Sequence, residues 1–535
     1  MEKWYESQKL LQISKACDQA YMANDENKMS ALVDQCYVLG HDQNQSNMVR
    51  AKYLYNCYTV LSDLIELRIK RNEISKGAHD HFNSFKIYEA DYEKCFYLAR
   101  TAFDLIDLEM GKAKEPEESE ESEKIEEVEF YFQMVVNYSN LLYQTGRITK
   151  ALELLKIFRD TAFPMGKGSL GMKIYEFSKL HYDSGQQTIL LYEAYKHIRE
   201  TLESPNEYTE REEITPLLEE YSESIVSMLS SEYLEKTYTL KDFLKAFDNM
   251  SVEEQDYRQW IANHRLSLNL LNDVFEDAIV GYDPLHLPGI VGGDDVMYML
   301  GLFNQIKQEY VSARFFAYEG FTKRELHFSD KEVMLINTLD YPVYGLGIEK
   351  IKAAYRSVYS IFDKIAYFLN EYFKLGIAKG QVGYYRVWSP EKTANDVRKL
   401  IDIAERNYPL FGMWWLFKDI RNVHVSNSDK YVDPVMSRIS KVRNAMEHTY
   451  LKILDFYGGS MLEDDTRADK LAYNISFSDF EKLTITLLRY AREAIILLVF
   501  SIKYEERHRE TSHDANALFM PMHTDTYDDE WKQIF

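Results

Sequence analysis

Residues 129–160 read EFYFQMVVNYSNLLYQTGRITKALELLKIFRD. Apolar side chains recur at helical spacing through Val135, Tyr138, Leu141 and Leu142, stop at Thr145 and Gly146, and resume through Ala151, Leu154, Leu155 and Phe158. A helical period broken once by a glycine and then restored is the pattern of two amphipathic helices folded back on each other. Glycine at the break permits a left-handed turn that a side chain would resist. The small Ala151 lets the second helix approach the first closely.

Looser pairs lie on either side. Residues 7–21 pair with 29–39, and 173–183 with 188–202. Gly146 and Ala151 have the Gly-x4-Ala spacing of a tetratricopeptide repeat, yet no exact repeat length runs through the chain. Residues 1–205 therefore resemble a degenerate helical-repeat array. Composition points the same way. Only 11 Pro and 22 Gly interrupt 535 residues, and 46% hydrophobic content suffices for several cores. The predicted class is all-α.

The formal net charge of -23 excludes a protein that coats nucleic acid by bulk attraction. Residues 346–460 run against this trend, with 18 Lys/Arg and 12 Asp/Glu. That basic island reads either as a local anion site or as chance clustering. Cys17, Cys36, Cys57 and Cys95 form no CxxC pair, so they suggest neither a disulfide framework nor a zinc site, but small buried residues of a reducing compartment. The opening MEKWYESQKLLQ has no basic region leading into an apolar run, and the longest apolar stretch, near 494–502, is far short of a bilayer span. The expectation is a cytoplasmic protein without a membrane partner.

Residues 111–127, GKAKEPEESEESEKIEE, read as a disordered loop or a solvated helix edge. Residues 206–345 read as a helical connecting region holding a Gly/Pro-rich loop at 281–295. The GGDD in that loop would need a flanking β-hairpin to serve as a polymerase-type site, and its flanks read as helix. His79-Asp80-His81 reads as a surface turn, because no further ligands accompany it. No P-loop, dinucleotide fingerprint or HExxH is present, so no cofactor or metal is expected.

Residues 346–510 read as a four-helix bundle, with 511–535 as a tail. The first helix carries the stripe Ile348, Ile351, Tyr355, Val358, Phe362, Ile365 and Leu369. The second spans 390–407 and the third 433–456. The fourth opens on Ser478 as N-cap, with Glu481 completing a capping box, and runs to about residue 504. Phe411, Trp414, Trp415 and Phe417 sit in an insertion between the second and third helices.

The third helix contains SKVRNAMEHTYLKI at 440–453. On a helical wheel Val435, Ile439, Val442, Met446 and Ile453 form one core-facing stripe. Asn444 and His448 fall on roughly the opposite side, with Glu447 at the edge. Arg443 flanks the stripe and is long enough to swing toward His448. The polar cluster therefore faces water or a second protomer.

The Arg-x4-His spacing, with Asn directly after the Arg, on the third helix of a bundle resembles the HEPN superfamily. The segments at 264–273 (HRLSLNLLND), 337–344 (NTLDYPVY) and 354–373 (AYRSVYSIFDKIAYFLNEYF) resemble the bacterial branch of that superfamily with N-terminal tetratricopeptide-like repeats. The resemblance runs from about residue 257 to the C-terminus; the aromatic insertion departs from it. It implies metal-independent RNA cleavage by attack of the ribose 2′-OH, leaving a 2′,3′-cyclic phosphate. His448 would move the proton. Arg443 would stabilise the phosphorane. Asn444 would bind phosphate or orient the histidine. It further implies a homodimer through the bundle and a toxin or antiviral-defence role, with a protein or phage-derived trigger received by the repeats. Glu447, and Arg421 with His424 in KDIRNVHVSNSD, are candidate substrate contacts; the latter pair is the weaker candidate and reads more readily as a polar loop. The alternative is a non-catalytic dimeric binding or scaffold protein.

Overall fold

In the computed structural model the described residues are 2–76, 88–112, 121–205, 211–244, 250–290, 295–323, 325–388, 400–420, 433–455, 469–512, 527 and 529–532. Helices α1 (Glu2–Met22), α2 (Glu26–Gly40), α3 (Asn47–Lys76) and α4 (Glu89–Lys112) come first. Asp25 starts α2 by accepting a hydrogen bond from the Lys28 amide at 3.1 Å. Their apolar faces close over Leu32, Leu54, Leu61 and Phe96. All four cysteines are buried in this core and form no disulfide, as their residue type suggests.

The acidic run is helical at both described ends: α4 enters it and α5 (Glu121–Gln144) leaves it, while 113–120 lie outside the described residues. The quoted segment then turns where its period breaks. Gly146 adopts φ +82, and α6 (Ile148–Leu155) follows. A Cβ on Gly146 would also stand 2.6 Å from the Gly412 amide nitrogen, so glycine is required for the turn and for close passage of a second backbone. Helices α7 (Pro164–Lys179) and α8 (Ser184–Leu202) form the next pair, α8 capped by Asp183 from the Gln186 amide at 2.9 Å. Helices α9 (Arg211–Leu229) and α10 (Val252–Asn263) lead into residues 264–290, which are irregular apart from short 3-10 turns. His79 to His81 lie outside the described residues, and of the GGDD only Asp295 is described, at a helix start.

The C-terminal part contains α11 (Asp295–Thr322), α12 (Leu346–Phe373), α13 (Tyr408–Ile420), α14 (Pro434–His448), strands β1 (Leu451–Leu454) and β2 (Tyr473–Ser476), and α15 (Phe477–Ser512). The architecture is all-α, with two short parallel strands among the described residues. Helix α11 packs along α12, and α15 contacts α11, α12, α13 and α14. One core runs from Val135 to Ile502 and so joins α5–α8 to this helical group.

Of the second bundle helix, expected at 390–407, Leu400–Ala404 are helical and 389–399 lie outside the described residues. Three expectations need correction. The aromatic segment is no insertion. It is α13, which packs along α15 and sends Phe411 and Trp415 into the α1–α4 core. The third helix stops at His448 because β1 pairs with β2, Leu451 lying opposite Tyr473. The last helix begins at Phe477, capped by the Ser476 hydroxyl from the Asp479 amide at 3.1 Å, so Ser478 lies in its first turn.

Buried ion pairs tie the two halves together. Arg147, directly after the turn glycine, donates to both Glu493 oxygens at 2.6 and 2.8 Å and to Asp419 at 2.7 Å. Arg100 donates to the other Asp419 oxygen at 2.7 Å. Arg492 grips both Asp273 oxygens at 2.8 Å. No helix among the described residues is long and apolar enough to cross a membrane.

Candidate functional site

Helix α14 carries the Arg-Asn-His cluster, and its start is fixed from outside. Asp433 accepts the Val435 amide at 2.8 Å through one oxygen and the Tyr490 hydroxyl at 2.9 Å through the other. Burial alone would raise the Asp433 carboxyl, but the Arg100 charge 3.8 Å away and these hydrogen bonds hold it below its ordinary range. Pro434 occupies the first helical position, where its missing N–H costs nothing.

The buried face of α14 is Met436, Ile439, Ser440, Val442 and Ala445. This corrects the expected stripe. Ile439 and Val442 are shared, but Val435 is exposed, Met446 is half-buried and Ile453 belongs to β1. The buried face is wider than a single stripe because α12 and α15 both pack on it. Tyr355 of α12 donates its hydroxyl to the Ile439 carbonyl at 2.8 Å and stacks on Phe480 of α15.

Arg443 is half-buried. Its guanidinium lies over the Tyr359 ring, 5.4 Å from the centroid, and donates to the Asn444 side-chain oxygen at 3.1 Å. Burial raises the Tyr359 hydroxyl, opposed by its Ser440 hydrogen bond and the Arg443 charge. His448 is the last residue of the helix and is exposed. Among the described residues no hydrogen bond or ion pair joins Arg443 to His448. Glu447 is engaged by Arg356 at 2.8 Å, and Arg356 also donates to the Met446 carbonyl at 3.2 Å. That arginine caps the end of α14 and fixes the turn bearing His448. Arg421 and His424 lie outside the described residues.

Arg356 and Tyr359 were not singled out from the sequence. Their signal is present, since they stand three apart on the flank of the α12 apolar stripe. Below His448, Val343 donates to the Ile453 carbonyl at 2.8 Å and so adds the 341–343 backbone to β1. Lys452, buried on β1, pairs with Asp340 at 2.6 Å and Asp469 at 3.0 Å. This strap is apolar and exposed: Met334, Ile336, Leu339 and Tyr341 are 91%, 80%, 81% and 69% accessible.

The arrangement offers an exposed imidazole, a cation held on an aromatic ring and an amide on one helix end, beside an uncovered apolar strap. No curated protein and no solved structure matches the chain. A family model does match, and it covers the motif helix: residues 290–505 match the LA2681-like HEPN family, which supports placing this part of the chain in the HEPN superfamily.

Proposed function

We propose that the protein is a metal-independent endoribonuclease whose catalytic groups are His448, Arg443 and Asn444. The observation that carries this reading is their placement on the outer face and free end of α14 inside the HEPN-matching segment. His448 takes the proton from a ribose 2′-OH, which attacks the adjacent phosphorus; the P–O5′ bond breaks, the 5′ oxygen leaves as a hydroxyl by taking a proton from the imidazolium or from water, and a 2′,3′-cyclic phosphate remains. Arg443 stabilises the charge on the phosphorane and Asn444 adds a hydrogen bond. Two copies, meeting through α14 and the apolar 334–341 strap, bring two such sets together. The repeat half, joined to the bundle through Arg147 and Arg100, receives a protein or phage-derived trigger. A toxin or antiviral-defence role follows from that combination.

The test is cleavage of an RNA pool by purified protein in EDTA, comparing wild type, His448→Ala and Arg443→Ala. Cleavage that survives chelation, leaves cyclic-phosphate ends and drops by about a hundredfold or more in both variants supports the reading. If both variants cut like wild type, the assignment fails. The second reading, a non-catalytic binding module, is favoured by Arg443 resting on Tyr359 and Asn444 with no hydrogen bond to His448 among the described residues, and would then take its place.

A further inference from the structure

A cavity of about 200 Å³ lies where α6, α7 and α8 meet the irregular segment after α10. Its polar lining is Lys156, Arg159, His197, Arg265, Asp273 and Glu276, with the solvent-exposed Asp160. Arg265 is the unusual member. It is 4% accessible, and its backbone sits at φ +55, a region that costs a non-glycine residue energy and persists where surroundings enforce it. Its Nε and Nη1 have no hydrogen-bond partner among the described residues, and a Glu276 oxygen lies 3.8 Å from Nε.

The carboxylates around Arg265 are already engaged by other cations. Asp273 is held by Arg492 through both oxygens. Glu153 is held by Lys150 at 2.8 Å and faces Arg489 at 3.3 Å. Glu276 is held by Lys156 at 2.7 Å. His197, also 4% accessible, has an unpartnered Nδ1, and its Nε2 is 3.5 Å from Glu193. A second, narrower cleft shares Arg265 and adds Lys150, Arg489 and Arg492. A buried guanidinium with unused donors is strongly unfavourable unless an anion meets it. Its planar fork suits a phosphate or carboxylate, and phosphate offers enough oxygens for several cations at once. The volume admits a phosphate with a small organic part and excludes a nucleic-acid strand.

We propose that this cavity binds a small phosphate-bearing anion, received by Arg265 and His197 inside and by Lys156 and Arg159 at the exposed side. The site is separate from the α14 cluster and stands whether or not the nuclease reading does. Binding there ties the repeat pair to a segment that Arg492 and Arg489 of α15 already hold.

Calorimetric titration of the full chain in low-salt chloride buffer tests it, with inorganic phosphate and adenosine 5′-monophosphate as probes. Saturable binding at one site per chain is expected for at least one probe. The double variant Lys156→Gln/Arg159→Gln should weaken it by about tenfold or more. Those side chains are 40% and 29% accessible, so the double variant keeps its fold, shown by an unchanged unfolding midpoint in chloride, even where Arg265→Gln does not. Equal affinity for the two probes identifies phosphate alone as the recognised group; tighter binding of the nucleotide shows that its organic part also fits. No saturable heat with either probe up to about 10 mM, or undiminished affinity in the double variant, overturns the proposal and leaves the cluster structural.

Discussion

Arg147 is 1% accessible, and its guanidinium is the only cation within hydrogen-bond reach of Glu493 among the described residues. Arg147→Ala would strand Glu493 and half of Asp419 in the interior. The expected loss is about 3–5 kcal/mol, read from urea denaturation. Replacing Arg147 and Glu493 together with neutral side chains of similar size should recover most of it, since Asp419 keeps its Arg100 partner and the penalty comes from unpaired charge. A loss below about 1 kcal/mol for the single variant would show that water reaches the cluster. None of this was legible from the sequence. Gly146 announces its turn through the broken period, but nothing local in the sequence distinguishes the arginine after it from a surface cation. Its partners lie 272 and 346 positions away. At α14 the outward placement of His448 was legible from the wheel. The resting pose of Arg443 was not, because Tyr359, on which it lies, belongs to another helix.

Elements were read best where a single face is apolar. Helix α12 carries the expected stripe, with Ile348, Ile351, Tyr355, Val358, Phe362, Ile365 and Leu369 all buried. Helix α13 was missed for the opposite reason. YPLFGMWWLFKDI is apolar on nearly every side because it lies between two cores, so it has no single stripe to read. Helix α15 shows how strand pairing overrides local signals. Ser476 and Ser478 each precede an acidic residue by three, so both satisfy the local capping pattern. Pairing of β2 with β1 through Ser476 selects the earlier start. Ser476→Ala should therefore cost about 1 kcal/mol, and Ser478→Ala no more than about 0.5 kcal/mol. Chemical denaturation of the two variants checks this; equal losses would place the cap elsewhere.

The seam between α7 and α15 makes the whole molecule sensitive to acid. His181, just beyond α7, is buried against Phe177 and Phe500, and Lys503 of α15 donates to the Leu180 carbonyl at 2.9 Å. Burial lowers the His181 imidazole from its ordinary 6.5 to about 4, against the hydrogen bond its Nδ1–H donates to the Phe177 carbonyl and with some help from Lys503. Between these values the unfolded chain binds a proton that the folded chain refuses. Stability is thus complete above pH 6.5 and falls toward pH 4, by up to about 3 kcal/mol from this residue. Denaturant titrations across that range should show the decline in wild type and a shallower one in His181→Gln; parallel curves would remove His181 as the cause. The central position of α15 has a further consequence, one of timing. It leaves the ribosome after α1 to α14, and it supplies the Glu493 that Arg147 awaits and the face on which α11 to α14 close. Nascent chains cut short before residue 477 should be insoluble or readily proteolysed, and should cut no RNA; a soluble, RNA-cutting fragment of that length would refute this. Order of synthesis then governs assembly: the two halves stay unjoined until α15 emerges and Glu493 meets Arg147.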